Sequence, residues 1–152
     1  MSVQAAIEKK KDELNGIIVI DAQLVDLKNI LPEWYASLLK EFPLSGVIFS
    51  LNEELDQSEL GVDLKWLSPE QTLDEAQNVY PGKSVIGLGY LPIGSCLAGS
   101  GDPYFLKLSD YSEDPALVRI PHDLVSDDGY PENEIELVCN SLSSFFEQAE
   151  IE

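Results

Sequence analysis

Between Leu31 and Phe42 the apolar positions fall at Leu31, Trp34, Tyr35, Leu38, Leu39 and Phe42. Steps of three and four lay one wide apolar face along an α-helix, the pattern of a helix packed on a sheet. Pro32 is placed to open this helix, because the first turn has no intrahelical partner for the N–H that proline lacks. Pro43 ends it. A second stripe, Ile135, Val138, Leu142, Phe145, Phe146 and Ala149, predicts a closing helix. Residues 3–14 carry a weaker stripe of Val3, Ile7 and Leu14 that Asn15-Gly16 stops. Ser68 and Pro69 read as the N-cap and first-turn proline of a short helix running toward Tyr80.

The remaining apolar runs are short and β-like. "IIVI" at 17–20 reads as a buried strand, "VIFSL" follows the turn at Gly46, and "VDLKWL" at 62–67 alternates like a half-buried strand. "SVIGLGYLPIG", "YFLKL" and "ALVRI" follow, separated by Gly, Ser, Asp and Pro at the spacing of an antiparallel meander. Helices flanking a run of strands predict an α+β fold: one domain over residues 1–152, with a central, mainly antiparallel sheet and helices packed on it. A chain of 152 residues, 44% of them hydrophobic, can bury about 70% of its unfolded surface without disulfide staples.

Charge changes the picture most. Nine Lys and Arg face 28 Asp and Glu, a formal net charge of −19. Arg119 is the last basic residue, and nine acidic residues follow it. Such a field repels phosphate backbones, which disfavours direct nucleic-acid binding, and attracts cationic proteins. It also serves solubility, so charge alone leaves partner recognition and simple solvation both open. Cys96 and Cys139 form no C-x-x-C pair and read as free thiols of a reducing cytoplasm. Lys9, Lys10 and Lys11 precede only "IIVI" before Asp21, too short for a secretory apolar core, and no run approaches the roughly 18 residues of a membrane span.

Candidate chemistry is sparse. "GSGD" at 99–102 lacks the lysine and helix of a phosphate loop and carries an aspartate where an anion would sit. "GLGYLPIG" is followed by no helical pattern. "DYSED" and "SDDGYPE" miss the glycine, glutamate or first ligand of a calcium loop. The lone His122 beside Asp123, with no G-x-S-x-G elbow, reads as a structural hydrogen-bonder, and an enzyme built on it is the weakest of three readings. No cofactor, metal or catalytic residue is expected. In "LAGSGDPYFLKL", Gly99 and Gly101 supply positive φ and Asp102 can bond backbone N–H groups two residues on, so the stretch reads as a turn launching a strand at Pro103.

"LPEWYASLLKEFPLSG" (31–46), "YLPIGSCLAGSGDPYFLKL" (90–108), "ALVRIPHD" (116–123) and "NSLSSFFEQ" (140–148) resemble, in this order, the pattern of the SUKH superfamily, relatives of the yeast cell-wall synthesis regulator that include many bacterial immunity proteins. The resemblance spans about residues 24–149. It places Leu31, Pro32 and Tyr35 at the helix start, Gly46 after it, Leu91, Pro92, Ile93 and Gly94 in the strand-and-turn segment and Gly101-Asp102 in a Gly-Asp turn. Val118 and His122 fall in the next strand and its end, and Phe145 in the closing helix. Ser45 stands where relatives often carry asparagine, and the acidic stretch "NEELDQSEL" has no counterpart. The resemblance implies a cytoplasmic immunity protein that binds and occludes a cognate toxin domain, a basic one given the charge; a regulatory interaction module is the alternative it allows. Acidic contacts are expected at Asp110, Glu113, Asp114, Asp127, Asp128, Glu132 and Glu134, with Tyr111 and Tyr130 as aromatic anchors.

Overall fold

A computed structural model of the chain describes residues 2–97, 101–110, 112–125 and 129–152. They form one α+β unit around an antiparallel sheet, as the hydrophobic pattern predicts. The strands are β1 (Ile48–Leu51), β2 (Val62–Trp66), β3 (Tyr90–Cys96), β4 (Tyr104–Lys107), β5 (Leu117–Arg119), β6 (Glu136–Cys139) and β7 (Glu150–Ile151). They lie in the order β6-β5-β4-β3-β2-β1-β7, with every neighbour antiparallel. Among the described residues the α-helices are α1 (Val3–Glu8), α2 (Glu33–Glu41), α3 (Pro69–Gln77), α4 (Gly82–Val85) and α5 (Leu142–Gln148).

Alternation along the strands sorts side chains to two faces. One face carries the main core. Phe49 pairs with Leu64 and Leu106 with Leu117, and α1, α2 and α5 contribute to the same cluster. Phe49, Trp66, Phe145 and Phe146 meet at ring-centroid distances of 5.5–5.8 Å. Buried aromatic pairs at such separations add about 0.5–1.5 kcal/mol each beyond area burial. The Trp66 indole N–H donates to Tyr35 Oη at 2.9 Å, so the polar tips of both rings are satisfied in the core. The opposite face holds a smaller cluster of Val85, Tyr90, Phe105, Val118, Ile120 and Tyr130.

Local chemistry explains the helix ends. Ser68 caps α3 in a reciprocal box with Gln71, and Pro69 sits in its first turn. Pro32 is the N-cap of α2. Ser141 caps α5, and the Asp114 carboxylate accepts from the Ser143 N–H at 2.8 Å and its hydroxyl at 2.5 Å.

Three segments depart from the pattern. "IIVI" makes one bridge, Ile17 to Ser45, and only Val19 turns inward, donating its N–H to Leu39 O; Ile17, Ile18 and Ile20 remain exposed. The first half of "SVIGLGYLPIG" is helical through Leu88, and β3 starts only after Gly89 reverses the chain at φ +94. The 135–149 stripe is split: β6 uses Val138, the chain turns at Asn140-Ser141, and α5 uses Leu142, Phe145 and Phe146. At the N-terminus, α1 ends at Glu8 and turns continue to Glu13.

Candidate functional site

Arg119 lies inward on β5, 2% exposed. Its Nη2 donates to Asp56 Oδ2 (3.1 Å), Gly61 O (2.6 Å) and Tyr104 Oη (3.2 Å), and its Nη1 donates to Ser58 Oγ (2.6 Å). Glu136 stands 3.9 Å away. Burial alone would lower the guanidinium's pKa; hydrogen bonding and charge from Tyr104 and Asp56 reverse this and leave it raised. Asp56 Oδ1 in turn accepts from the Ser58 N–H and hydroxyl, both at 2.7 Å. A charge pair so enclosed is tolerated because both carboxylate oxygens and both Nη groups of the guanidinium make hydrogen bonds.

The consequence is positional. Asp56, Ser58 and Gly61 belong to the acidic β1–β2 loop. Arg119 clamps this loop over the sheet, and the Gln57 N–H donates to Val138 O on β6 at 3.0 Å. Glu59 adopts φ +67 and Gly61 +79 to make the return. Glu53, Glu54, Glu59 and Leu60 are exposed on this loop, and Leu137 is exposed on β6.

A second set of carboxylates reaches the same edge from the segment after β5. The Tyr130 hydroxyl donates to Pro121 O at 2.5 Å, and its ring is buried in the smaller cluster. Burial raises the phenol's pKa, and the charges of Asp102, Asp123, Glu134 and Glu136 raise it further. Burial also raises the Glu136 carboxyl; Arg119 opposes the rise, while Asp102 and Asp56 add to it. Tyr90 donates its hydroxyl to Glu132 at 3.3 Å. The β1–β2 loop, the approach to β4 and the segment between β5 and β6 thus each bring a carboxylate whose charge is felt at Glu136 or Tyr130.

Among the described residues, those expected to meet a partner are spread over both ends of the strands. Glu132 and Glu134 are exposed at the β6 edge. Glu113 is exposed and Asp110 closes a 3-10 turn, but both lie in the β4–β5 connection, at the other end of strands about 10–13 Å long. Asp114 is engaged with the Ser143 N–H and hydroxyl in the first turn of α5, a structural role. Tyr130 is 8% exposed and packed in the core, so it is no anchor. Tyr111, Asp127, Asp128 and Gly99 lie outside the described residues.

The Gly-Asp turn is partly as expected. Gly101 takes φ +70, and Ile120 N–H pairs with Pro103 O just before β4. Asp102 reaches further than foreseen: its Oδ1 accepts the His122 N–H at 3.1 Å and lies 2.5 Å from His122 Nδ1, tying two loops together. His122 is exposed, with its ring oriented by that carboxylate. Among the described residues no three His, Cys, Asp or Glu side chains converge as a metal site, and no helix is long and apolar enough to cross a membrane.

Sequence reasoning missed the Arg119–Asp56 clamp. One signal was available: alternation puts Arg119 on the same face as Leu117, so a charge on the core side of a strand demanded a buried acid. No family model, curated protein or solved structure matches the chain.

Proposed function

We propose that this chain is a cytoplasmic immunity protein that binds a basic toxin domain one-to-one and blocks its active site or substrate path. The observation that carries the reading is the pinning of an acidic loop to β6: Arg119 binds Asp56, Ser58 and Gly61, the Gln57 N–H bonds Val138 O, and Glu59 on that loop and Glu134 ahead of β6 are both exposed. The resemblance to the SUKH pattern supplies the role, and the charge of −19 supplies the mechanism. A field of this sign steers a cationic partner to encounter at rates up to about 10⁸–10⁹ M⁻¹s⁻¹ at low salt and turns nucleic acid away. Leu60 on the β1–β2 loop and Leu137 on β6, 62% and 37% exposed, offer apolar area, where binding energy concentrates once water is excluded.

The test is affinity capture from the native host followed by titration. One dominant basic protein, whose activity disappears at a one-to-one ratio, is the expected outcome. A diverse set of partners, none inhibited, would instead favour a regulatory interaction module and overturn the immunity reading. His122→Ala should leave inhibition intact, since the pair with Asp102 ties loops and does no chemistry here; loss of protection with binding retained would favour an enzyme.

A further inference from the structure

With Tyr130 buried, the acidic face has no aromatic anchor among the described residues, and the structure points to one elsewhere. We propose that Trp34, with Glu113 and Glu41, forms a groove that takes a cationic side chain, arginine or lysine, from an extended segment of the partner. This rests on the reading of a basic protein partner and deepens it.

Two cavities of about 270 and 450 Å³ are both lined by Trp34 and Glu113 and meet there. The first runs along α2 past Leu38 to Glu41; the second runs between Leu31 and Leu108. Trp34 and Glu41 are seven residues apart, two turns along one helix face and roughly 10 Å in rise, the span of about three extended residues. The ring is braced from behind. Trp34 meets Tyr35 edge-on at 5.7 Å and 74°, and Tyr35 is fixed by the Trp66 indole. Glu41 is held in place by Gln4, whose amide donates to both its oxygens at 3.2 Å, and keeps acceptor capacity for a ligand. No basic side chain lines either cavity among the described residues.

An indole and two carboxylates lining one cavity select a cation over a neutral or anionic group, because ring quadrupole and charge act with the same sign. Leu31, Leu108 and Leu38 cover the aliphatic stem of such a side chain.

The experiment titrates ¹⁵N-labelled protein with acetyl-Arg-Arg-Arg-amide, using the citrulline tripeptide as a neutral isostere. The Trp34 indole N–H peak should move saturably with the arginine peptide and not with citrulline, while the peak of Trp66, buried behind Tyr35, stays in place. Glu113→Gln, at an exposed position, should weaken the effect roughly threefold, and Trp34→Leu should cut affinity about tenfold. Shifts confined to the β6 edge would overturn the groove and leave the acidic-face reading standing. No shift at any amide would overturn both. A Trp34 shift that citrulline reproduces, or that Glu113→Gln leaves unchanged, also overturns the assignment.

Discussion

Replacing Arg119 by methionine keeps the volume of the side chain's stem and removes the only buried cation described in the sheet. Asp56 would then stay enclosed with donors from Ser58 alone, and Gly61 O and Tyr104 Oη would each lose a partner. Removing one member of a buried ion pair costs about 3–5 kcal/mol, because the remaining charge is left uncompensated. The Ser58 bonds put the expected loss near the lower end, about 3 kcal/mol, a large share of the roughly 5–15 kcal/mol that holds a domain together. For a chain of this length that corresponds to a fall in Tm of roughly 6–12 °C. Urea unfolding read by tryptophan fluorescence gives the free energy, and hydrogen exchange gives its location, with the largest gain in exchange expected over residues 52–61. The double variant Asp56→Leu/Arg119→Met should recover at least about 2 kcal/mol relative to Arg119→Met alone, since neither charge remains. A loss below about 1 kcal/mol for Arg119→Met, or no recovery in the double variant, would refute the clamp.

Other expectations follow from single sites. Cys139, whose thiol burial pushes up to about 11 with Asp56 adding to the rise, should resist thiol reagents at pH 8 until denaturant is added, while the half-buried Cys96 reacts first; equal labelling rates would contradict this. Gly82→Ala should destabilise by about 1–3 kcal/mol, because the new Cβ would stand 2.1 Å from the Glu75 carbonyl oxygen, a backbone atom that cannot swing aside; a wild-type Tm would count against the packing of α3 on α4. Glu75 has its carboxyl raised above 4.5 by burial and then by Asp74, and its Oε2 is buried without a partner. A raised carboxyl favours the fold fully below the unfolded pKa, and the benefit is lost as pH climbs through the folded value. Glu75→Gln should therefore stabilise at pH 7 and make no difference near pH 3; a gain that grows toward low pH would reverse the assignment.

Much of the architecture was legible locally. The α2 stripe, the alternation of "VDLKWL" and the Ser68-Pro69 start of α3 each specify an element from neighbouring residues, and each is found. The departures arise where distant contacts decide. Ile135 and Val138 fit helical spacing with Leu142, yet pairing of Glu136 with Arg119 and of Cys139 with Leu117 draws that stretch into the sheet, and Ser141 restarts the chain as a helix. "IIVI" has β propensity but no long partner, because β1 is flanked by β2 and β7 and only Ser45 is left to bridge Ile17. The acidic surface was legible as a net charge but not as a place. Arg119 and Asp56 are 63 residues apart, and no periodicity within either segment reveals that they meet. The spacing of Trp34 marks it as core, and it does pack on Tyr35, but its position between two cavities depends on the distant Leu108, Ser112 and Glu113.

The most direct measurement is the association rate of the captured partner against ionic strength, for the native chain and for a Glu59→Lys/Glu134→Lys variant. Steering by the β6 face predicts a rate that falls steeply as salt rises from about 20 to 500 mM, with the variant slower at low salt and flatter in its response. A rate indifferent to salt and unchanged in the variant would mean that this face does not guide the encounter.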